Sequence, residues 1–94
     1  MYSVPSELYV EVVARLREAI GERRYFSGTL NFAFGEVECH LRASLMVYWR
    51  EESYPERHYA SISDLVPVWW EMHTTIDGEE KLNDFSFSTL RQYL

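Results

Sequence analysis

Apolar residues recur at three- and four-residue steps over positions 4–20: Leu8, Val12, Leu16 and Ala19/Ile20, with Tyr9 and Val13 widening the stripe. That spacing predicts an amphipathic helix. Ser3 stands where an N-cap is wanted, Pro5 is tolerated in a first turn, and Gly21 offers a left-handed stop. Glu7, Glu11, Arg15 and Glu18 take the water side, with Glu11 and Arg15 four residues apart as a favourable pair.

From Arg24 the period changes to two. Phe26, Leu30, Phe32 and Phe34 alternate with Tyr25, Ser27, Thr29 and Asn31; past Gly35-Glu36, Val37, Cys39, Leu41, Ala43, Leu45, Val47 and Trp49 alternate with Glu38, His40, Arg42 and Ser44. A two-residue turn with glycine first suits type II′. It predicts Phe34 opposite Val37, Phe32 opposite Cys39, Leu30 opposite Leu41, Gly28 opposite Ala43 and Phe26 opposite Leu45. A slip of one residue would spoil every pair. The small Gly28–Ala43 pair predicts a close helix crossing. So long a second strand also predicts a bulge or bend at 44–46, since strands usually run about 3–10 residues.

Two further strands are expected at 57–63 and 68–76, the first placing Val47 opposite Ala60, Leu45 opposite Ile62 and Tyr48 opposite Tyr59. Val68, Trp70, Met72 and Ile76 should face inward, and Trp69, Glu71, His73 and Thr75 outward. Asp77-Gly78 is a type I′ hairpin signal, and the return strand at 79–83 is short and charged, as an edge should be. Phe85 and Phe87 reach back to the core ahead of a short helix at 88–94. The expected fold is one α+β domain over residues 1–94: an N-terminal helix, an antiparallel meander of three to five strands and a short C-terminal helix, with both helices on one sheet face.

Composition narrows the chemistry. The chain has 94 residues and a net charge of −6, with fifteen acids against nine bases. The first 47 residues hold six acids and five bases, so the acidity lies mostly in the second half. A chain with so few cations is poorly suited to phosphate backbones or anionic membranes. The order helix, three strands, helix resembles that of double-stranded-RNA-binding domains in element order alone. Such domains imply a basic cluster opening the second helix; residues 83–91 hold one arginine and no lysine, so no nucleic-acid function follows. One cysteine, Cys39, excludes an internal disulfide and a multi-thiolate zinc site. No signal-peptide pattern opens the sequence and no run is long enough for a membrane helix, which makes a cytoplasmic location the expectation.

Motifs for catalysis are sparse. Neither a nucleophile elbow, a zincin helix, a phosphate loop nor a dinucleotide glycine motif occurs. Cys39 and His40 are strand neighbours and therefore point to opposite faces; the buried thiol should behave as a small hydrophobe with a raised pKa. Two Glu-x-His pairs, Glu38/His40 and Glu71/His73, carry metal-ligand chemistry if their strands adjoin. The expected meander sets the 57–63 strand between them, and the solvated face of a half-buried sheet is the reading preferred for them, since such faces are normally polar. No cofactor is expected.

The remaining signal is aromatic. Tyr25, Met46, Tyr48, Tyr59 and Trp69 fall on the face opposite the helices, with Arg42, Arg50 and Arg57 near enough to rim them. Tyr, Trp, Met and Arg are the residues that interfaces favour, and a contiguous apolar patch marks interaction sites. The expectation is a non-catalytic module binding a protein partner, or a second copy of itself, through this face. Covering by the terminal helix or the 51–56 loop would remove that patch. A metal-binding protein or small metal-dependent hydrolase, an acidic inhibitor mimicking nucleic acid, and sugar stacking on Trp69 and Tyr59 are the alternatives.

Overall fold

The computed structural model describes residues 1–54 and 57–94, and the side chains of all these except 52–54 and 57–59. The chain runs through α1 (Ser6–Ile20), β1 (Tyr25–Phe34), β2 (Val37–Tyr54), β3 (Arg57–Ile76), β4 (Glu79–Lys81) and α2 (Phe87–Leu90), then a 3₁₀ turn at Arg91–Tyr93. The strands form one antiparallel sheet in the order β1-β2-β3-β4. This is the α+β arrangement read from the sequence, with four strands.

Helix α1 starts after Pro5, whose carbonyl accepts the N–H groups of Leu8 and Tyr9. Ser3 does not cap it; Pro5 holds the N-cap position and no side-chain cap is formed. Just upstream, the Val4 N–H donates to Asp84 Oδ1 at 2.7 Å, fastening the N-terminus to the far end of the chain. Gly21 ends the helix at φ 62°, ψ −118°, a backbone only glycine adopts readily but not the left-handed helical one expected. The Arg23 guanidinium donates to the carbonyls of Ala19 and Ile20, placing a cation on the negative helix end. Arg15 and Glu11 meet at 2.8 Å on the wet face.

The β1–β2 register is the one predicted, from Phe34 opposite Val37 to Phe26 opposite Leu45. At the turns, Gly35 has φ 57° while Glu36 does not turn positive, the signature of type II′; Asp77 and Gly78 are both positive, as type I′ requires. The close helix crossing expected at Gly28 is absent. A methyl group there would stand 3.3 Å from Phe26 Cζ and no atom of α1 comes within 4 Å, so an aromatic ring covers the glycine instead.

Beyond β2 the chain departs from the sequence reading. The strands expected at 57–63 and 68–76 are one strand, β3, which pairs along the whole of β2. Val47 lies opposite Leu65 rather than Ala60, Leu45 opposite Pro67 rather than Ile62, and Tyr48 opposite Asp64 rather than Tyr59. Two β3 residues are extra to the ladder: Val68, across from the Ser44/Leu45 step in the expected bulge region, and Ser63, across from Tyr48/Trp49. Each bulge inverts which parity faces inward. Met72 and Thr74 point in, then Leu65, then Ile62. Val68, expected inside, is 64% exposed, whereas Leu65 is fully buried.

The core lies between the sheet and the two helices. Leu8, Val12, Leu16 and Ile20 of α1 meet Cys39, Leu41, Leu45, Leu65, Phe87 and Leu90 there. Trp70 is on this side, at the sheet margin, tilted against the rings of Phe85 and Phe87. Tyr9 stacks between Phe85 and Tyr93 and its hydroxyl accepts the Ser86 N–H. Where β4 stops, Asn83 takes over the margin of β3: its amide donates to the Met72 carbonyl and to Thr74 Oγ1, and its own Oδ1 accepts the Phe85 N–H. In the other direction β1 ends at Tyr25, opposite Met46, and β2 and β3 continue without it as a two-stranded arm, which gives the molecule a long axis of 51 Å.

Candidate functional site

The outer face of the sheet is built by the residues that alternate with the core. Its rungs, read across β1, β2 and β3, are Tyr25–Met46–Val66, Ser27–Ser44–Trp69, Thr29–Arg42–Glu71 and Asn31–His40–His73. Tyr48 stands beyond the first rung, opposite Asp64. Both helices lie on the opposite side, where Tyr9 of α1 stacks on Tyr93, so the terminal helix does not cover this face. Tyr25, Met46, Tyr48 and Trp69 are 47%, 42%, 52% and 45% exposed.

The face has two chemically different halves. One end carries Tyr25, Met46, Tyr48 and Trp69 around a Ser27–Ser44 hydroxyl pair at 3.0 Å. The other carries charge. Arg42 marks the boundary: its guanidinium is 5.8 Å from the Trp69 ring centroid and donates to Glu71 at 3.0 Å, so one side chain makes both a cation–π contact and an ion pair. Arg50 sits two residues past Tyr48 on β2, opposite Ser61. Tyr59 and Arg57 take register positions opposite Glu52 and Tyr54. Tyr59 is therefore far along the arm from Tyr48 rather than across from it, and both its side chain and that of Arg57 lie outside the described residues.

The same register corrects the expected separation of the Glu-x-His pairs. No strand intervenes: β2 and β3 are direct neighbours and His40 is opposite His73, with Glu38 opposite Thr75 and Glu71 opposite Arg42. Other partners occupy these groups. His40 Nδ1 is 2.6 Å from Asn31 Oδ1, and His73 Nδ1 is 2.7 Å from Glu80 Oε1 with Nε2 3.5 Å from Glu71. Among the described residues no three of His, Cys, Asp and Glu converge as a metal cage.

The hydrogen bond to Glu80, aided by Glu71, raises the His73 pKa above its usual value. A raised folded value means that the pairing stabilises the fold fully below about pH 6.5 and that this contribution disappears as pH climbs through the folded pKa. Since the ring is exposed, the effect on stability stays below about 1 kcal/mol. The expected result is clearest by NMR titration: Glu80→Gln should bring the His73 midpoint down towards the ordinary value. An unmoved midpoint would show that Glu80 does not hold the ring.

Elsewhere, Cys39 is fully buried with its thiol pKa raised by that burial, on the opposite face from His40. Arg91 grips Asp64 through two hydrogen bonds of 2.8 and 2.6 Å, which hold the Asp64 carboxyl below the usual range and tie the C-terminal turn to β3. The sequence offered no sign of this clamp, because its partners lie 27 residues apart. Among the described residues no helix is long and apolar enough to cross a membrane. Comparison with protein-family models, curated proteins and solved structures yields no match to this chain.

Proposed function

We propose that this protein is a non-catalytic interaction module that binds a protein surface, its own or another's, through the outer face of its sheet. The observation that carries this reading is the uncovered group of Tyr25, Met46, Tyr48 and Trp69 beside Arg42. Water-facing sheet surfaces are normally polar, and large amphipathic rings near an arginine are the side chains that dominate interface energies. A cytoplasmic setting without nucleic-acid or membrane partners fits the acidic, single-cysteine composition.

A photo-crosslinking side chain at position 48 tests it. Adducts with a protein are expected from Tyr48 and Met46 positions but not from Glu7, on the wet side of α1; equal yields from all three would overturn the reading. Tyr48→Glu should abolish the adduct made from position 46 with little effect on the fold, because Tyr48 is exposed. A second reading, metal binding, draws support only from the direct His40–His73 register. Zinc titration with a melting readout decides it, since a site on these residues would raise the melting temperature of the wild type and not of His73→Ala.

A further inference from the structure

The sheet has two margins, and they are built differently. The β4 strand is three residues long and all charged, while the β3 strand carries Pro67 and two bulges in its ladder with β2. These are the devices by which proteins keep sheet edges from pairing with other chains. The opposite margin, β1, has none of them. Its ten residues, YFSGTLNFAF, contain no charge and no proline, and they pair with β2 in unbroken register.

The free hydrogen-bonding groups of β1 can be assigned. The Val47 N–H donates to the Arg24 carbonyl at 2.9 Å, so even-numbered residues bond towards β2. The tight turn closing on Phe34 opposite Val37 agrees in phase. The N–H and C=O groups of Tyr25, Ser27, Thr29, Asn31 and Ala33 therefore point away from the sheet, and among the described residues no strand pairs with them. Beside this edge, on the helix side, lies a groove of about 340 Å³ lined by Arg15, Glu18, Ala19, Leu30, Asn31 and Phe32. Leu30, Phe32 and Phe34 stay half-exposed there because the sheet stops beneath α1.

We propose that β1 is a strand-addition site for a second copy of this chain, joining two four-stranded sheets into one of eight strands. Directly opposite residues in an antiparallel pair share a face, and only odd-numbered residues have free backbone groups. A two-fold axis at Leu30 meets both conditions over nine residues of β1, as does one at Thr29, and of the two only the Leu30 axis sets an aromatic ring across from Gly28. It places Ser27 opposite the second copy's Ala33 and Thr29 opposite its Asn31 as hydrogen-bonded pairs. On the helix side Phe26 meets Phe34, Leu30 meets its own counterpart, and Gly28 meets Phe32, so an aromatic ring again covers the glycine. Self-pairing sets no charge against a like charge, the clash that otherwise excludes homotypic strands. An edge about 30 Å long contributes only part of the roughly 800 Å² per partner that a stable dimer buries; the groove beside α1, where Leu30 and Phe32 meet Arg15 and Glu18, is the surface next to it.

Thr29→Pro tests this directly. The N–H it removes points to the open edge and not to β2, so the monomer keeps its ladder, while each dimer loses two donors and gains a steric block. Sedimentation equilibrium of the wild type should show a monomer–dimer equilibrium, weakened at least about tenfold in Thr29→Pro. Amide hydrogen exchange gives an independent readout without a variant. Thr29 and Asn31 amides should gain protection as wild-type concentration rises, and Leu30 should be protected throughout. A wild type that stays monomeric with freely exchanging Thr29 and Asn31 overturns the proposal. So does a dimer that survives Thr29→Pro but is lost in Tyr48→Glu, which would assign self-association to the outer face instead.

Discussion

Phe87→Ala is expected to cost about 3–5 kcal/mol, the range for truncating a buried aromatic. Helix α2 is only four residues long and far below the length at which a helix stands alone. It holds its place through Phe87 and Leu90, both buried, and through the Phe87 ring contacts with Phe85 and Trp70 at 5.8 and 5.7 Å. Removing the ring opens a cavity under the C-terminal segment, and with it the stacking of Tyr9 on Phe85 and Tyr93 loses its support. Small domains have about 5–15 kcal/mol in total, so the variant should sit close to unfolding. Denaturant titration followed by tryptophan fluorescence is suitable, because Trp70 lies in the affected cluster. A loss under 1 kcal/mol would mean that the C-terminal segment is not docked as described.

Leu65→Ala should be nearly as damaging, at about 2–5 kcal/mol, while Val68→Lys should change stability by no more than about 0.5 kcal/mol. The contrast tests the two bulges. Plain alternation along β3 from Trp70 and Met72 would send Val68 inward and Leu65 outward, reversing both effects. The extra residues Val68 and Ser63 shift the phase twice, so that Leu65 is buried among Leu45, Leu90 and their neighbours while Val68 meets water. Equal urea midpoints for wild type and Leu65→Ala would rule out this register.

The comparison between Leu65 and Leu41 also explains what could be read in advance. Leu41 belongs to a strand pair closed by a two-residue turn, where turn chemistry and alternation agree at every position; its place was legible. Leu65 lies past residues 51–60, whose sequence carries no tight-turn signal that fixes a register. Bulges break the period that sequence patterning depends on, and Pro67, whose missing donor suits a strand start or an edge, lies within one long strand at a stretch that β4 does not reach. The consequences reached the candidate site. Tyr25, Met46 and Tyr48 kept their expected face because β1 and β2 carry no extra residue, and Trp69 because it lies on the Met72 side of the first bulge. Tyr59 lost its expected place opposite Tyr48 because the register beyond Leu45 differs, and His40 and His73 became direct neighbours because residues 57–76 form one strand with none between. Asn83, Asp64 and Arg91 could not be found from pattern at all: a side chain that finishes another strand's hydrogen bonds leaves no periodic trace.

The division of the outer face into an apolar end and a charged end has a kinetic consequence. Glu38, Arg42, Glu71, His73 and Glu80 gather on one side of Trp69, and Tyr25, Met46 and Tyr48 on the other. Charges chiefly govern how fast partners meet and in which orientation, whereas desolvated rings govern how slowly they part. A protein seated across both ends would arrive at a rate that falls with added salt and leave at a rate that barely responds to it. It could also dock in only one direction, since turning it end for end would set its apolar surface on the carboxylates.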